Sequence, residues 1–311
     1  MADSLFLKET TSEMKLLIFR LGKTPYGINV DKVREIIPRT KTTVIPHAPR
    51  AVEGSFMLRE EVLTLINLGE YLEIEGDATS HGEGAIIIVQ FNKVRCGILV
   101  DSVEVIHTLK WDQIEPPSIY LTDLGAPLTG ITKVNEQTVL IADFESIIGR
   151  ILGTYGDDAE DDIQPQAITP RDIHILLADD SGVLRKSMVK FLHRHGYNKL
   201  TVCSDGLEAW EKLQRMKMSG GNKCHAVVSD IEMPRMNGLM LTSRIKADPE
   251  LKDMTVVIYS SMITAENTEK GRTVGADAQV GKPDSLEMIH ALENCLIQRG
   301  LLEPATDTVM T

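Results

Sequence analysis

The pattern of apolar and polar positions changes character midway along the chain. Up to about residue 150 the apolar positions come in short runs: LLIFRL (16–21), TPYGINV (24–30), VLTLINL (62–68), AIIIVQF (85–91), CGILVD (96–101), VEVIHTL (103–109) and TVLIADF (138–144). Turn residues separate them, such as Leu21-Gly22-Lys23, Gly82-Glu83-Gly84 and Asn92-Lys93. Runs of this length, rich in Val, Ile, Leu and Phe, predict strands. Helical spacing shows only in two short pieces, near Val30 to Ile37 and around Phe144 to Leu152. Many short strands without long helices between them predict barrels or a sandwich. The pattern alone leaves one barrel and two barrels both open.

After residue 171 the rhythm alternates. HILLAD (174–179), KLTVCS (199–204), HAVVSD (225–230), TVVIYSS (255–261) and AQVGK (278–282) have strand length. Between and after them lie segments with helical spacing at 181–196, 206–217, 237–248, 264–276 and 284–300. In the first, Leu184, Met188, Phe191 and Leu192 recur at helical intervals, and Gly196 stands where a C-terminal cap belongs. Five strands alternating with five helices predict a parallel sheet covered on both faces. Ligands of such sheets bind outside the carboxyl ends of the strands.

Between the halves, GTYGDDAEDDIQPQAITPR carries five acidic residues and two prolines, and reads as an extended tether. The expected organisation is a first domain over 1–155, an acidic linker over 156–170, a second domain over 171–300 and a flexible tail over 301–311. With 311 residues, each half is long enough to bury its own core. The net charge of -12 argues against nucleic acid or anionic lipid as a partner. Cys96, Cys203, Cys224 and Cys295 are scattered, which suggests neither a disulfide framework nor a zinc site. The N-terminus lacks a basic stretch followed by a long apolar one, and no apolar run reaches the roughly 18 residues of a membrane span. Any membrane association is expected to come through a partner.

The residues at the strand ends carry the chemistry. The first strand of the second half ends in Asp179-Asp180, the third in Asp230, the fourth in Ser260-Ser261 and the fifth in Lys282-Pro283. In one parallel sheet these ends share an edge. Clustered carboxylates repel unless a cation joins them, and hard oxygen ligands favour Mg2+. A carboxylate can attack a phosphoryl group and form an aspartyl phosphate. Lys282, a hydroxyl and the metal would neutralise the transferred oxygens. Taken singly, Asp180 or Ser181 reads as a helix cap and Lys282-Pro283 as a loop.

LLADDS, VVSDIEMPRMNGL, VVIYSS and GKP, in that order, resemble the receiver domains of two-component response regulators over about Asp172 to Arg299. The resemblance implies a flavodoxin-like (βα)5 fold with Asp230 as phosphate acceptor. It further implies Mg2+ on the side chains of Asp180 and Asp230 and on the backbone carbonyl of Glu232. Asp179 would act on the metal through water or Lys282. Lys282 would contact the phosphoryl group, and Ser260 would be the switch hydroxyl. The pattern departs from the family at Gln279, where receivers often carry an aromatic residue; Tyr259, next to Ser260, is the candidate substitute. Glu232 and Met262 occupy positions that influence access of the hydrolytic water, so slow dephosphorylation is expected. His193 and His195 read as a helix end, and Met216 and Met218 as packing or surface residues.

The first half is similar to CheW, the chemotaxis coupling protein. The resemblance rests on YGINVDKVREII, TVIPHAPRAVEGSFMLREEVLTLINL, VRCGILVDSVEVI and LTGITKVNEQTVLIADFESII. It implies an all-β double SH3-like barrel without a catalytic site, bridging chemoreceptors and the histidine kinase CheA. Arg59 and Val33 are the candidate partner-binding residues, although Val33, Ile36 and Ile37 also read as core. Glu60 replaces the usual glycine after Arg59. A coupling domain followed by a receiver is the arrangement of CheV-type proteins. It implies a cytoplasmic scaffold at receptor arrays, switched by phosphorylation of Asp230 and not an enzyme. Two alternatives remain open: a phosphate sink for the kinase, and a phosphohydrolase using Asp230 with Glu232.

Overall fold

The computed structural model describes residues 13–74, 84–91, 94–118, 120–121, 126–153, 171–219 and 223–303. They form two compact units, one on each side of residues 154–170. The expected linker over 156–170 lies outside the described residues, as do the tail from 304 and the turn residues Gly82, Glu83, Asn92 and Lys93.

The first unit holds two five-stranded sheets. One runs β8 (Ser102–Lys110), β1 (Glu13–Leu21), β2 (Thr24–Asn29), β10 (Gln137–Ala142), β9 (Leu128–Val134). The other runs β3 (Val33–Pro38), β6 (Ala85–Phe91), β7 (Val94–Val100), β5 (Glu61–Asn67), β4 (Val52–Leu58). The helix expected near Val30 to Ile37 is instead a short 3-10 turn, Val30–Lys32, followed by β3. Along β3 exposure alternates residue by residue. Four β-branched residues in eight disfavour helix and suit a pleated, half-buried strand. α1 (Phe144–Leu152) forms as expected. Asp143 caps it by accepting from the Ser146 amide at 3.0 Å, and Gly153 ends it in the left-handed region. Phe144, Ile147, Ile148 and Ile151 recur on one helical face and enter a core shared with both sheets, including Phe19, Ile66, Ile87 and Ile98.

The second unit alternates β11 (Arg171–Ala178), α2 (Gly182–Arg194), β12 (Tyr197–Cys203), α3 (Gly206–Ser219), β13 (Ala226–Ser229), α4 (Gly238–Ala247), β14 (Thr255–Ser260), α5 (Ala265–Thr273), β15 (Ala278–Gly281) and α6 (Ser285–Gln298). All strand pairs are parallel, in the order β12-β11-β13-β14-β15. The near-continuous burial of β11, β13 and β14 follows, because helices cover both faces. Ile175, Leu177, Val228, Val257 and Tyr259 pack on one face with α2 and α6. Leu176, Val227 and Val256 pack on the other with α3 and α4. The strand order reverses between β11 and β13, and ligand crevices open at such a point beyond the carboxyl ends.

Candidate functional site

Short backbone bonds extend the sheet ladder past the strands and fix the residues that follow them. The Asp230 amide donates to the Ala178 carbonyl at 2.8 Å, and the Lys282 amide to the Ser260 carbonyl at 3.1 Å. Asp179, Asp230, Ser260 and Lys282 therefore hold adjacent places along one edge, and all four are buried. The Lys282 Nζ donates to Asp179 Oδ2 at 2.7 Å and to Asp230 Oδ2 at 2.5 Å. The ammonium thus offsets two buried carboxylates that would otherwise repel.

The remaining oxygens are also engaged. Asp230 Oδ1 accepts from the Ile231 amide at 2.5 Å, and Asp179 Oδ1 accepts from the Ser181 amide at 2.9 Å. Ser181, rather than Asp180, caps α2 by accepting from the Leu184 amide at 3.2 Å. Asp180 is half-buried, and its carboxylate joins those of Asp179 and Asp230 with one oxygen of each within 4.8 Å of the others. Three hard oxygen donors at that spacing fit a small divalent cation. Ser260 is fully buried, and its Oγ accepts from the Met262 amide at 3.3 Å. Glu232 and Met262 are buried beside the same edge.

The loop after Asp230 explains the glycine that follows it. The Gly238 amide donates to the Ile231 carbonyl at 2.9 Å and closes residues 231–237 into a compact turn. A Cβ at Gly238 would lie 1.9 Å from the Asp230 carbonyl oxygen, so no other residue fits without moving the acceptor's backbone.

Gln279 and Tyr259 stand on opposite faces of the sheet. Gln279 Nε2 donates to the Thr268 carbonyl of α5 at 2.7 Å, and its amide lies against Gly271. Tyr259 packs with Met288 and Ile289 on the other face, and its hydroxyl pairs with Ser285 Oγ at 3.2 Å. Burial pushes that phenol up to about 12. Side chains alternate across a strand, so Tyr259 cannot take the place of an aromatic residue at 279. That expectation is corrected.

In the first unit Arg59 sits at the β4–β5 turn with positive φ and largely exposed, its Nη2 3.2 Å from Glu35 Oε2. Arg95 extends the ion pairs to Glu35 at 3.4 Å and Glu61 at 2.6 Å. Val33 is half-buried and packs against the main core. The four cysteines are free, and burial raises the Cys96, Cys203 and Cys224 thiols to about 12, which leaves them unreactive. Sequence reasoning named a residue at every strand end of the second unit except β12. There Asp205 is fully buried and pairs with Arg235 of the acceptor loop. A carboxylate two residues after the strand, followed by glycine, is the signal the sequence offers.

Comparison with known proteins agrees with this architecture. Residues 15–152 match the CheW-like domain and residues 175–293 the response regulator receiver domain. The class is therefore a chemotaxis coupling module joined to a receiver. CheV3 of Helicobacter pylori is 30% identical over 307 residues, covering 92% of this chain and 95% of that one. CheV1 of the same organism is 25% identical, covering 95% and 99%. CheW of Klebsiella aerogenes is 31% identical over 140 residues, covering 44% of this chain and 83% of that one. The chain belongs to the CheV family of chemotaxis proteins. Among the described residues no helix is long and apolar enough to cross a membrane.

Proposed function

We propose that the first unit couples chemoreceptors to the histidine kinase CheA, and that phosphorylation of Asp230 in the second unit modulates this coupling. The protein acts at cytoplasmic receptor arrays and reaches the membrane only through these partners. The observation that carries the phosphoryl reading is the buried Lys282 ammonium bridging Asp179 and Asp230, with Asp180 alongside.

Asp230 Oδ attacks the phosphorus of the kinase's phosphoryl group; the new O–P bond forms as the bond to the kinase breaks, leaving an aspartyl phosphate. For this Asp230 Oδ2 gives up its bond from Lys282, whose ammonium then contacts the transferred oxygens. Asp180 and Asp230, with the Glu232 carbonyl, would hold Mg2+, which when bound supplies further neutralisation of the phosphoryl oxygens. Asp179, whose two oxygens are engaged by Lys282 and the Ser181 amide, would act on that cation only through water or Lys282. The Ser260 hydroxyl turns from the Met262 amide toward the phosphoryl group and carries the change to the surface. Glu232 and Met262, buried beside the acceptor, restrict water and slow the chain's own dephosphorylation.

Asp230→Ala tests the acceptor. Incorporation of phosphate from phosphorylated kinase should be abolished, while binding to receptor and kinase persists. Labelling that survives the substitution would overturn the assignment. Array kinase activity measured with and without phosphorylation separates modulation of coupling from a mere drain of phosphoryl groups.

A further inference from the structure

The loop that follows Asp230 is held from outside by a second buried charge. Asp205, fully buried at the end of β12, accepts from the Arg235 guanidinium: Nε lies 3.2 Å from Oδ2, and Nη2 contacts the same oxygen. Its other oxygen accepts from the Glu208 amide at 2.9 Å and starts α3. Arg235 adopts a φ of 59, in the left-handed region that costs a non-glycine residue free energy. A second stitch lies beside the first. The Gly206 amide donates to the Met236 carbonyl at 3.1 Å, and a Cβ at Gly206 would lie 2.3 Å from that oxygen. The two loops therefore meet backbone to backbone, with the ion pair at their junction.

Nothing in the phosphoryl chemistry needs a charge at 205. A fully buried carboxylate is costly unless paired, and a strained arginine adds to that cost. Both concentrate on the seven residues that separate Asp230 from α4, the segment that contains Glu232. We propose that Asp205 and Arg235 form a positioning clamp, which fixes the acceptor loop and so sets the placement of the Glu232 backbone against Asp230 and Asp180. This rests on the reading of Asp230 and its neighbours as an Mg2+-dependent phosphoryl acceptor. The pair stands outside the carboxylate group of Asp179, Asp180 and Asp230, and acts through the loop it holds.

The test compares the full chain with Asp205→Asn, Arg235→Gly and Arg235→Lys. Asparagine retains the cap on α3 and removes the charge. Glycine accepts a φ of 59 without strain and removes the guanidinium. Calorimetric titration with MgCl2 should show affinity weakened about 10-fold or more in the first two variants, the range found when a residue orienting a metal ligand is lost. The initial rate of Asp230 labelling by acetyl phosphate at subsaturating Mg2+ should fall in parallel, and recover as Mg2+ is raised. Arg235→Lys, with the charge but not the planar fork, should fall between. Measurements well below each variant's melting temperature separate this from simple destabilisation. Mg2+ affinity and labelling rate both within two-fold of the parent would overturn the clamp, as would a parent that binds no Mg2+. If Asp205→Asn does not fold, Arg235→Gly decides alone. A parent that binds Mg2+ but is never labelled refutes the Asp230 reading instead, and the titration still judges the clamp.

Discussion

The charge cluster of the second unit's carboxyl edge is buried, and that of the first unit's β4–β5 turn is not. In the second, Asp179, Asp205, Asp230 and Lys282 are buried near the carboxyl edge of one sheet and neutralised by one another or by Arg235. In the first, Glu35, Arg59, Arg95 and Glu61 make a comparable network that stays at the surface. Buried charges interact strongly and tolerate no missing partner; exposed ones are screened and nearly interchangeable. The buried cluster suits the phosphoryl centre proposed for the second unit, and the first unit's network leaves its charges within reach of solvent.

The same type of substitution should therefore have very unequal effects. Lys282→Ala leaves two buried carboxylates uncompensated and should cost the second unit about 3–5 kcal/mol. Urea denaturation would show this, and added Mg2+ should restore part of it. A loss under about 1 kcal/mol without metal would mean that the edge is more hydrated than its burial implies. Gly238→Ala should cost about 1–3 kcal/mol through the collision with the Asp230 carbonyl. It should also slow labelling of Asp230, whereas an unchanged stability and rate would show that the loop can yield.

A third contrast uses pH. Burial, followed by the charges of His225 and Lys199, lowers His174 below its ordinary value of 6.5. Burial, followed by Lys223, does the same for His225. The unfolded chain then binds protons at a higher pH than the folded one, so stability is full above 6.5 and declines as pH falls below it toward the folded values. The second unit's transition should move to lower urea between pH 7 and pH 5, and His174→Gln should flatten that slope. A pH-independent transition would place these rings in water. The smallest effect is expected at the exposed pair: Arg59→Ala should change stability by less than about 0.5 kcal/mol. A weakened complex with receptor and kinase, at unchanged stability, would mark Arg59 as a contact residue.

The sequence by itself determined the alternation of strands and helices in the second unit, because a period of 2 or 3.6 is written in local neighbours. It also placed Asp179, Asp180, Asp230, Ser260 and Lys282 at the site, because a residue directly after a strand of a parallel sheet can only lie on its carboxyl edge. Local pattern failed at β3, where Val33, Ile36 and Ile37 fit a helical period, whereas the strand sets Ile36 on the exposed side, outside the core expected for it. Pairing with β6 settled it, since a strand is stabilised by neighbours distant in sequence. Which face Tyr259 takes, and that Gln279 bonds to α5, likewise depended on the register of β14 and β15. Lys282 meets Asp179 across 103 residues and Arg235 meets Asp205 across 30. The first contact could be read from shared placement at strand ends. The second could not, because it needs one loop to turn back over another, and only packing in three dimensions decides that.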